Sequence, residues 1–153
     1  MRVGLISDTH GLLRPEALDF LRGSDFIIHA GDITGPEILP PLAAIAPLTV
    51  VRGNNDRGAW AGDIPETAIL RVGKVNIYVS HDLKALPIDP AREGMRVVVA
   101  GHSHKPACSE RDGVLYVNPG SAGRRRFSLP VSVGELLVDG ERVSARLVTL
   151  DAG

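Results

Sequence analysis

The 153-residue sequence predicts an α/β domain in which two packed β-sheets carry helices on their outer faces. Two observations lead to this expectation. The first half of the chain alternates short apolar runs with helix signals, which is typical of βαβ units with parallel strands. The second half contains strand-like runs separated by tight turns, which is typical of antiparallel hairpins. We expect one domain that spans residues 1–153.

Five apolar runs are expected to form buried strands. Each run lacks a helical period of hydrophobicity and has the length of a strand. The runs cover residues 2–7, 25–31, 48–53, 75–80 and 96–101. Because helix signals separate the first three strands, these strands are expected to pair in parallel.

Two helical segments are expected between the first three strands. The first covers residues 14–23 and has Pro15 in its first turn, where proline is tolerated. The second contains Pro40-Pro41, and we expect this pair to break it into pieces at roughly 36–39 and 41–46.

Three tight turns predict hairpins in the rest of the chain. Gly73-Lys74 precedes the fourth strand, and Asp112-Gly113 and Asp139-Gly140 are Asp-Gly turns between strand-like runs. Residues 131–138 and 142–150 are therefore expected to pair as antiparallel strands at the end of the chain.

The composition excludes several classes of partner. The chain has 17 basic and 18 acidic residues, so it lacks the basic excess that binds long nucleic acids or anionic membranes. No run approaches the roughly 18 apolar residues of a membrane span, and the first strand begins at residue 2 without a signal-like segment. The single cysteine excludes an intrachain disulfide. We expect a cytoplasmic protein.

Each of the five strands is followed by side chains that commonly bind metals. These side chains belong to Asp8, His10, Asp32, Asn54, His81, His102 and His104. Loops at the carboxyl ends of strands in an α/β sheet converge on one crevice, where ligand sites are built. The remaining histidine, His29, lies within the second strand and is expected to be buried and hydrogen-bonded.

Seven ligands are too many for one cation but suit two. With Asp32 bridging, they make eight bonds, which is four for each of two ions. Two divalent ions carry four positive charges, and the ligand set carries two negative charges. The excess positive charge attracts a phosphate group. A metal-bridging water would lose a proton near neutral pH and attack the phosphorus. A donor set without thiolate favours Mn²⁺, with Fe, Co²⁺, Ni²⁺ or Zn²⁺ as alternatives.

The order of these motifs resembles a known family. The segments are Asp8-x-His10, Gly31-Asp32, Gly53-Asn54-Asn55-Asp56, His81 and Gly101-His102-Ser103-His104. They are similar, in this order, to the five motifs of calcineurin-like metallophosphoesterases. The chain length and the segment Asn118-Pro119-Gly120-Ser121 resemble the small bacterial and archaeal phosphodiesterase branch. The resemblance covers about residues 1–150 and implies a four-layer α/β/β/α sandwich.

The resemblance also implies how the ligands are shared. One metal would be held by Asp8, His10, Asp32 and His104. The other would be held by Asp32, Asn54, His81 and His102. The activity implied is that of a phosphodiesterase acting on a small soluble phosphate ester. The residues expected to take part in catalysis are Asn54, Asn55, Asp56 and His81.

Two positions depart from the family pattern. Many members have a histidine where this chain has Asn55, and an amide donates a hydrogen bond to a phosphoryl oxygen but supplies no proton. We therefore expect a preference for good leaving groups, or a proton from water or Asp56. Many relatives have glycine where this chain has Asp82, which we expect to cap a helix, with a hydrogen bond to His81 as the alternative.

Candidate substrate contacts follow from the same resemblance. Asn55 and Ser121 are expected to touch the substrate. Arg124 or Arg125, in the run Arg124-Arg125-Arg126, is expected to contact a phosphate or a second substrate group, the alternative being a solvated loop. Other functions left open are a phosphomonoesterase, a nuclease, and a non-catalytic scaffold like the retromer subunit. The sequence also leaves open a homo-oligomer.

Overall fold

The computed structural model describes residues 1–125 and 128–150 and folds them into two five-stranded sheets that share a core. The strands of the first sheet are β1 (Arg2–Ile6), β2 (Phe26–His29), β3 (Leu48–Val50), β9 (Ser132–Asp139) and β10 (Arg142–Thr149). Those of the second sheet are β4 (Thr67–Val72), β5 (Val75–Ser80), β6 (Val97–Val99), β7 (Ala107–Arg111) and β8 (Val114–Asn118). The predicted α/β class with two mixed sheets is confirmed.

Both sheets combine parallel and antiparallel pairs. The first has the order β10-β9-β1-β2-β3, with β1, β2 and β3 parallel and β9 antiparallel to both of its neighbours. The second has the order β4-β5-β6-β8-β7, with β5, β6 and β8 parallel. The three predicted hairpins are the connections β4–β5, β7–β8 and β9–β10, and all three pairs are antiparallel.

The helices are few and short. Helix α1 (Pro15–Leu21) has Pro15 at its start, as predicted. The two expected pieces are a 3₁₀ turn at Pro36–Ile38 and α2 (Leu39–Ala43), but they meet between Ile38 and Leu39, so the expected break at Pro40-Pro41 is wrong in position. These prolines lie in the first turn of α2, where backbone N–H groups have no partner within the helix and proline removes no hydrogen bond.

Strands β1 and β2, in the first sheet, are buried on both faces. Val3 and Leu5 on β1 face the core between the sheets, whereas Ile6 joins the cluster under the helices. Burial on both faces explains why these strands are continuous apolar runs without alternation. The outer face of the second sheet is covered instead by the turn-rich segment at 83–95, which includes a 3₁₀ turn at Leu83–Ala85.

The loops that follow β1, β2, β3, β5 and β6 meet at one edge of the molecule. The backbone N–H of Asp8 donates to the carbonyl of Gly31, and that of Gly101 donates to the carbonyl of His81, each at 3.0 Å. Among the described residues, no helix combines the length and apolar character needed to cross a membrane. The polar side chains that follow these strands therefore lie at this edge of the molecule.

Candidate metal centre

The seven predicted ligand side chains lie together at this polar edge. The donor atoms of Asp8, His10 and His104 lie within 4.8 Å of one another, and so do those of Asp8, Asp32 and His81. The two remaining predicted ligands adjoin the second group. Oδ1 of Asn54 lies 3.1 Å from Nε2 of His81 and 3.2 Å from Nδ1 of His102.

The first group surrounds the buried carboxylate of Asp8. Nε2 of His10 and Nε2 of His104 are 3.2 Å apart and lie 4.0 and 3.6 Å from Oδ1 of Asp8. Nε2 of His10 also lies 3.7 Å from Oδ2 of Asp32. Two imidazole nitrogens and carboxylate oxygens that face one point are donors suited to a divalent transition metal.

The second group is organised by His81, which is buried and has a defined orientation. Its Nδ1 lies 2.7 Å from the carbonyl of Ala30, so in the neutral ring Nδ1 carries the proton and donates it to that oxygen. Nε2 lies 3.4 Å from Oδ2 of Asp32, to which it donates while the ring is protonated; loss of that proton makes Nε2 an acceptor. A backbone carbonyl that fixes the tautomer in this way is typical of metal-binding histidines.

The backbone of the ligand loops is held in an unfavourable conformation. Of the seven described non-glycine residues with positive φ, five are predicted ligands. These five are Asp8, His10, Asp32, His102 and His104, with φ of 53°, 47°, 57°, 73° and 62°. Each such residue costs about 1–2 kcal/mol, and conformations of this kind concentrate at functional sites. This backbone strain indicates that the edge is a functional site, and it does so independently of the side-chain chemistry.

Two glycines allow the ligand loops to approach one another closely. A Cβ atom on Gly53 would collide with the backbone and carboxylate of Asp32. A Cβ atom on Gly101 would collide with the hydroxyl of Ser7 and lie 2.7 Å from Oδ2 of Asp8. Only glycine, which has no Cβ atom, fits at these two crossings.

The carboxylate of Asp8 bears the chemical mark of a cation site. Its Oδ2 accepts hydrogen bonds from the hydroxyl of Ser7 at 2.9 Å and the N–H of His102 at 3.1 Å. Its Oδ1 is buried and accepts no hydrogen bond from any described residue. Burial raises the pKa of Asp8 to about 7, an effect that the nearby charge of His81 only partly offsets. A bound cation would compensate this desolvation, so the residues fit a metal ion.

The second carboxylate, Asp32, is held in its ionised form. Burial by itself raises the pKa of Asp32, but hydrogen bonds from His81 and Asn55 outweigh it and lower the pKa below its usual value. Burial likewise lowers the pKa of His81, but the hydrogen bond to Asp32 raises it above its usual value. The backbone and side-chain amides of Asn55 each donate to Asp32 at 3.0 Å. Asn55 therefore orients a predicted ligand.

The surroundings of the Asp56 carboxylate do not suit proton donation. Its two carboxylate oxygens accept the backbone N–H groups of Thr34 and Gly53, each at 2.8 Å, and the residue is 5% exposed. These bonds tie the loop after β3 to the loop after β2. The geometry gives Asp56 a structural role and offers no support for proton transfer to a leaving group.

The predicted substrate contacts do not gather around the cluster in the same way. Ser121 is buried, and its hydroxyl donates to the carbonyl of Asp8 at 3.0 Å, so it supports a ligand loop. Arg124 and Arg125 are exposed, and Nε of Arg125 lies 3.4 Å from the carbonyl of Leu129. Arg126 lies outside the described residues. Substrate contact by these residues stays a prediction.

Asp82 caps the 3₁₀ turn at Leu83–Ala85, because its Oδ1 accepts the backbone N–H of Lys84 at 3.0 Å. The preferred expectation for this residue is confirmed. Its Oδ2 lies 3.9 Å from Nε2 of His102, rather than against His81.

His29 is fully buried and connects two ligand loops, a role that sequence reasoning did not assign. Its Nδ1 accepts the N–H of Gly31 at 3.1 Å, and its Nε2 lies 3.0 Å from Oγ1 of Thr9. The Thr9 hydroxyl donates to the carbonyl of Ile33 at 3.2 Å. Burial, and then the charge of His81, lower the pKa of His29 to about 3, so this histidine is neutral. Its expected burial and hydrogen bonding are confirmed.

Two cavities differ in their position relative to the cluster. One of about 350 Å³ adjoins the cluster at Asn54, His81 and His102. The other, of about 850 Å³, is lined by residues that include Met1, Arg2 and none of the predicted ligands. Since Arg2 begins β1 and Asp8 follows it, the larger cavity lies at the opposite end of this strand.

Comparison with known proteins gives a family match over most of the chain. Residues 1–141 match the model of the calcineurin-like phosphoesterase superfamily domain. A probable metallophosphoesterase of Methanothermobacter thermautotrophicus is 35% identical, over 99% of this chain and 94% of that protein. A phosphodiesterase of Methanocaldococcus jannaschii is 25% identical, over 99% of this chain and all of that protein.

Solved structures share the fold. An archaeal phosphodiesterase superposes with a TM-score of 0.81 and 24% identity, over 98% of this chain and 100% of that one. Vps29 of Entamoeba histolytica in complex with zinc superposes with a TM-score of 0.76 and 24% identity, over 97% and 99% of the two chains. At this identity the likeness shows the fold alone.

Proposed function

We propose that this chain, which belongs to the calcineurin-like phosphoesterase superfamily, is a metal-dependent phosphodiesterase that hydrolyses a small phosphate ester. The observation that carries the proposal is the group of four histidines, two buried aspartates and one asparagine at one edge of the sheets. The name of the relative from Methanocaldococcus jannaschii supports diester hydrolysis over other phosphoester chemistry.

The proposed centre holds two divalent ions. Asp8, His10, Asp32 and His104 would hold one ion, and Asp32, Asn54, His81 and His102 would hold the other. The position of Asp32 supports this division, because its Oδ2 lies 3.7 Å from Nε2 of His10 and 3.4 Å from Nε2 of His81. Oxygen and imidazole donors without thiolate favour Mn²⁺, with Fe, Co²⁺, Ni²⁺ and Zn²⁺ as alternatives.

When bound, the two ions would supply charge neutralisation for phosphoryl oxygens and would activate water as a nucleophile at neutral pH. The protein residues supply orientation. Asn55 holds the carboxylate of Asp32, and the carbonyl of Ala30 holds Nδ1 of His81, which directs Nε2 toward the cluster. Because Asp56 is occupied by backbone hydrogen bonds, we assign the leaving-group proton to water and expect esters with good leaving groups to react fastest.

Three alternatives compete with this proposal. A phosphomonoesterase or a nuclease would use the same cluster, but the near-neutral charge of the chain disfavours long nucleic acids. A non-catalytic scaffold has weak support from the Vps29 structures, which share the fold. A cytoplasmic location stays a prediction, as does the oligomeric state.

The test is hydrolysis of bis(4-nitrophenyl) phosphate by chelator-treated protein before and after addition of Mn²⁺, with 4-nitrophenyl phosphate measured in parallel. We expect turnover only with metal and faster release from the diester. Asp32→Asn should abolish turnover, whereas Asp112→Asn, in the exposed turn between β7 and β8, serves as the matched control. A faster monoester would indicate a phosphatase, and protein that binds no metal would refute the proposal.

A further inference from the structure

The cavity of about 350 Å³ beside the cluster has the size of a small ligand pocket. Asn54, His81 and His102 form one of its walls. The rest of its lining includes Arg52, Glu66, Thr67, Asp82, Ala85 and Pro87. Because three proposed metal ligands open directly onto it, a phosphate bound at the cluster would extend one of its ester arms into this space.

The charges in this cavity argue against a second anionic group on that arm. Nη2 of Arg52 lies 3.0 Å from Oε1 of Glu66, so the guanidinium that lines the cavity beside the proposed ligands is already paired. Nη1 of Arg52 lies 3.5 Å from the carbonyl of Ala61. Asp82 adds a second carboxylate, which leaves the lining apart from the proposed ligands with one net negative charge.

The acceptors in the cavity suit hydroxyl groups. Oδ1 of Asp82 accepts the N–H of Lys84, and its Oδ2 lies no closer than 3.9 Å to Nε2 of His102, which leaves room for another donor. The Glu66 side chain is 77% exposed and uses one oxygen on Arg52. Thr67 adds a hydroxyl. Carboxylate oxygens accept strongly from alcohol O–H groups, and Ala85 and Pro87 provide apolar contact for carbon atoms.

We propose that this cavity is a specificity pocket for an uncharged, hydroxyl-bearing arm of a phosphodiester, of the kind that a sugar or glycerol unit presents. The inference rests on the proposed function and names the class of substrate that the site selects. Glu66 and Asp82 are the residues that read the hydroxyl groups. The paired Arg52 holds Glu66 in place.

The test compares three 4-nitrophenyl phosphodiesters whose second arm is 2,3-dihydroxypropyl, propyl or 2-carboxyethyl, with the Mn²⁺-loaded protein. We expect kcat/KM for the dihydroxypropyl ester to exceed that for the propyl ester about tenfold, the size of one hydrogen bond to a charged acceptor. The carboxyethyl ester should be the slowest. Calorimetric binding of the corresponding methylphosphonates should show the same order in Kd.

Variants place the discrimination in the cavity. Ala85→Phe should fill the space and lower the ratio of dihydroxypropyl to propyl kcat/KM about tenfold. Lys84→Phe, on the neighbouring exposed residue outside the lining, should leave that ratio unchanged. Glu66→Gln should lower the same ratio and raise the relative rate of the carboxyethyl ester.

The possible outcomes separate this inference from the proposed function. Hydrolysis of all three esters at equal rates would refute the pocket alone, as would a ratio that Ala85→Phe does not change. A preference for the carboxyethyl arm would show that Arg52 recognises an anion and would overturn the assignment to hydroxyl groups. No hydrolysis of any ester by metal-loaded protein would refute the proposed function and the pocket together.

Discussion

Replacement of His29 by glutamine is expected to make the metal-free protein less sensitive to acid. His29 is fully buried, and it accepts the N–H of Gly31 while its other ring nitrogen faces Thr9. Burial lowers its pKa to about 3 in the folded state, against 6.5 in the unfolded chain. Between these values only the unfolded chain binds the proton. The contribution of His29 to the free energy of unfolding is therefore fully present above pH 6.5 and decreases as the pH falls toward 3.

The size of the effect follows from the two pKa values. At pH 5 the unfolded chain is about 1.5 pH units below its own pKa, whereas folded His29 remains neutral. At about 1.4 kcal/mol per unit, His29 should cost the wild type about 2 kcal/mol of unfolding free energy between pH 7 and pH 5. Glutamine does not titrate. Its loss of buried hydrogen bonds should cost about 1–3 kcal/mol at both pH values.

The assay is urea unfolding of both chelator-treated proteins at pH 7 and pH 5. The unfolding free energy of the wild type minus that of His29→Gln should be about 2 kcal/mol smaller at pH 5 than at pH 7, because only the wild type has the His29 titration. A difference that stays constant from pH 7 to pH 5 would refute the reasoning. It would mean that His29 is protonated in the folded state or is accessible to solvent.

The remaining predictions concern metal binding, measured by calorimetric titration with Mn²⁺. Asn55→Ala should weaken Mn²⁺ binding about 10- to 100-fold because Asp32 loses its orienting amide. The control Asn76→Ala should leave binding unchanged. Equal losses of affinity in the two variants would contradict the orienting role of Asn55. Gly53→Ala should abolish binding because its methyl group collides with Asp32, whereas Gly62→Ala meets no atom within 4 Å and should bind normally. For the wild type, Kd should rise as the pH falls below about 7, where Asp8 takes up a proton; equal Kd at pH 6 and pH 8 would exclude this linkage.

The sequence alone predicted the sheet edge that carries the site. Each buried strand is a local apolar run, and the metal-type side chain follows it within a few residues, as Asp8 follows β1 and His81 follows β5. Because parallel strands present their carboxyl ends at one edge, adjacency in sequence becomes proximity in space. Turn chemistry is equally local, which is why the Asp-Gly hairpin at Asp112-Gly113 was predictable.

Helix geometry showed the limit of local reasoning. Pro40-Pro41 reads as a helix breaker in sequence, but the effect of proline depends on its position relative to the helix start. That start is set by packing: α2 begins at Leu39, and its buried Leu42 joins the cluster against the first sheet. The position of the prolines within the helix was therefore a tertiary outcome.

What the sequence determined about this protein is the set of metal-type side chains and the edge at which they meet, because both depend on residues adjacent in the chain. The tertiary structure decided which of the surrounding polar residues face the site and which support it. Asn55 and Ser121 bond to residues 23 and 113 positions away, and one of the two partners of Asp56 lies 22 positions away. A hydrogen bond over such a separation depends on how the loops pack, and no local pattern of residues encodes its direction.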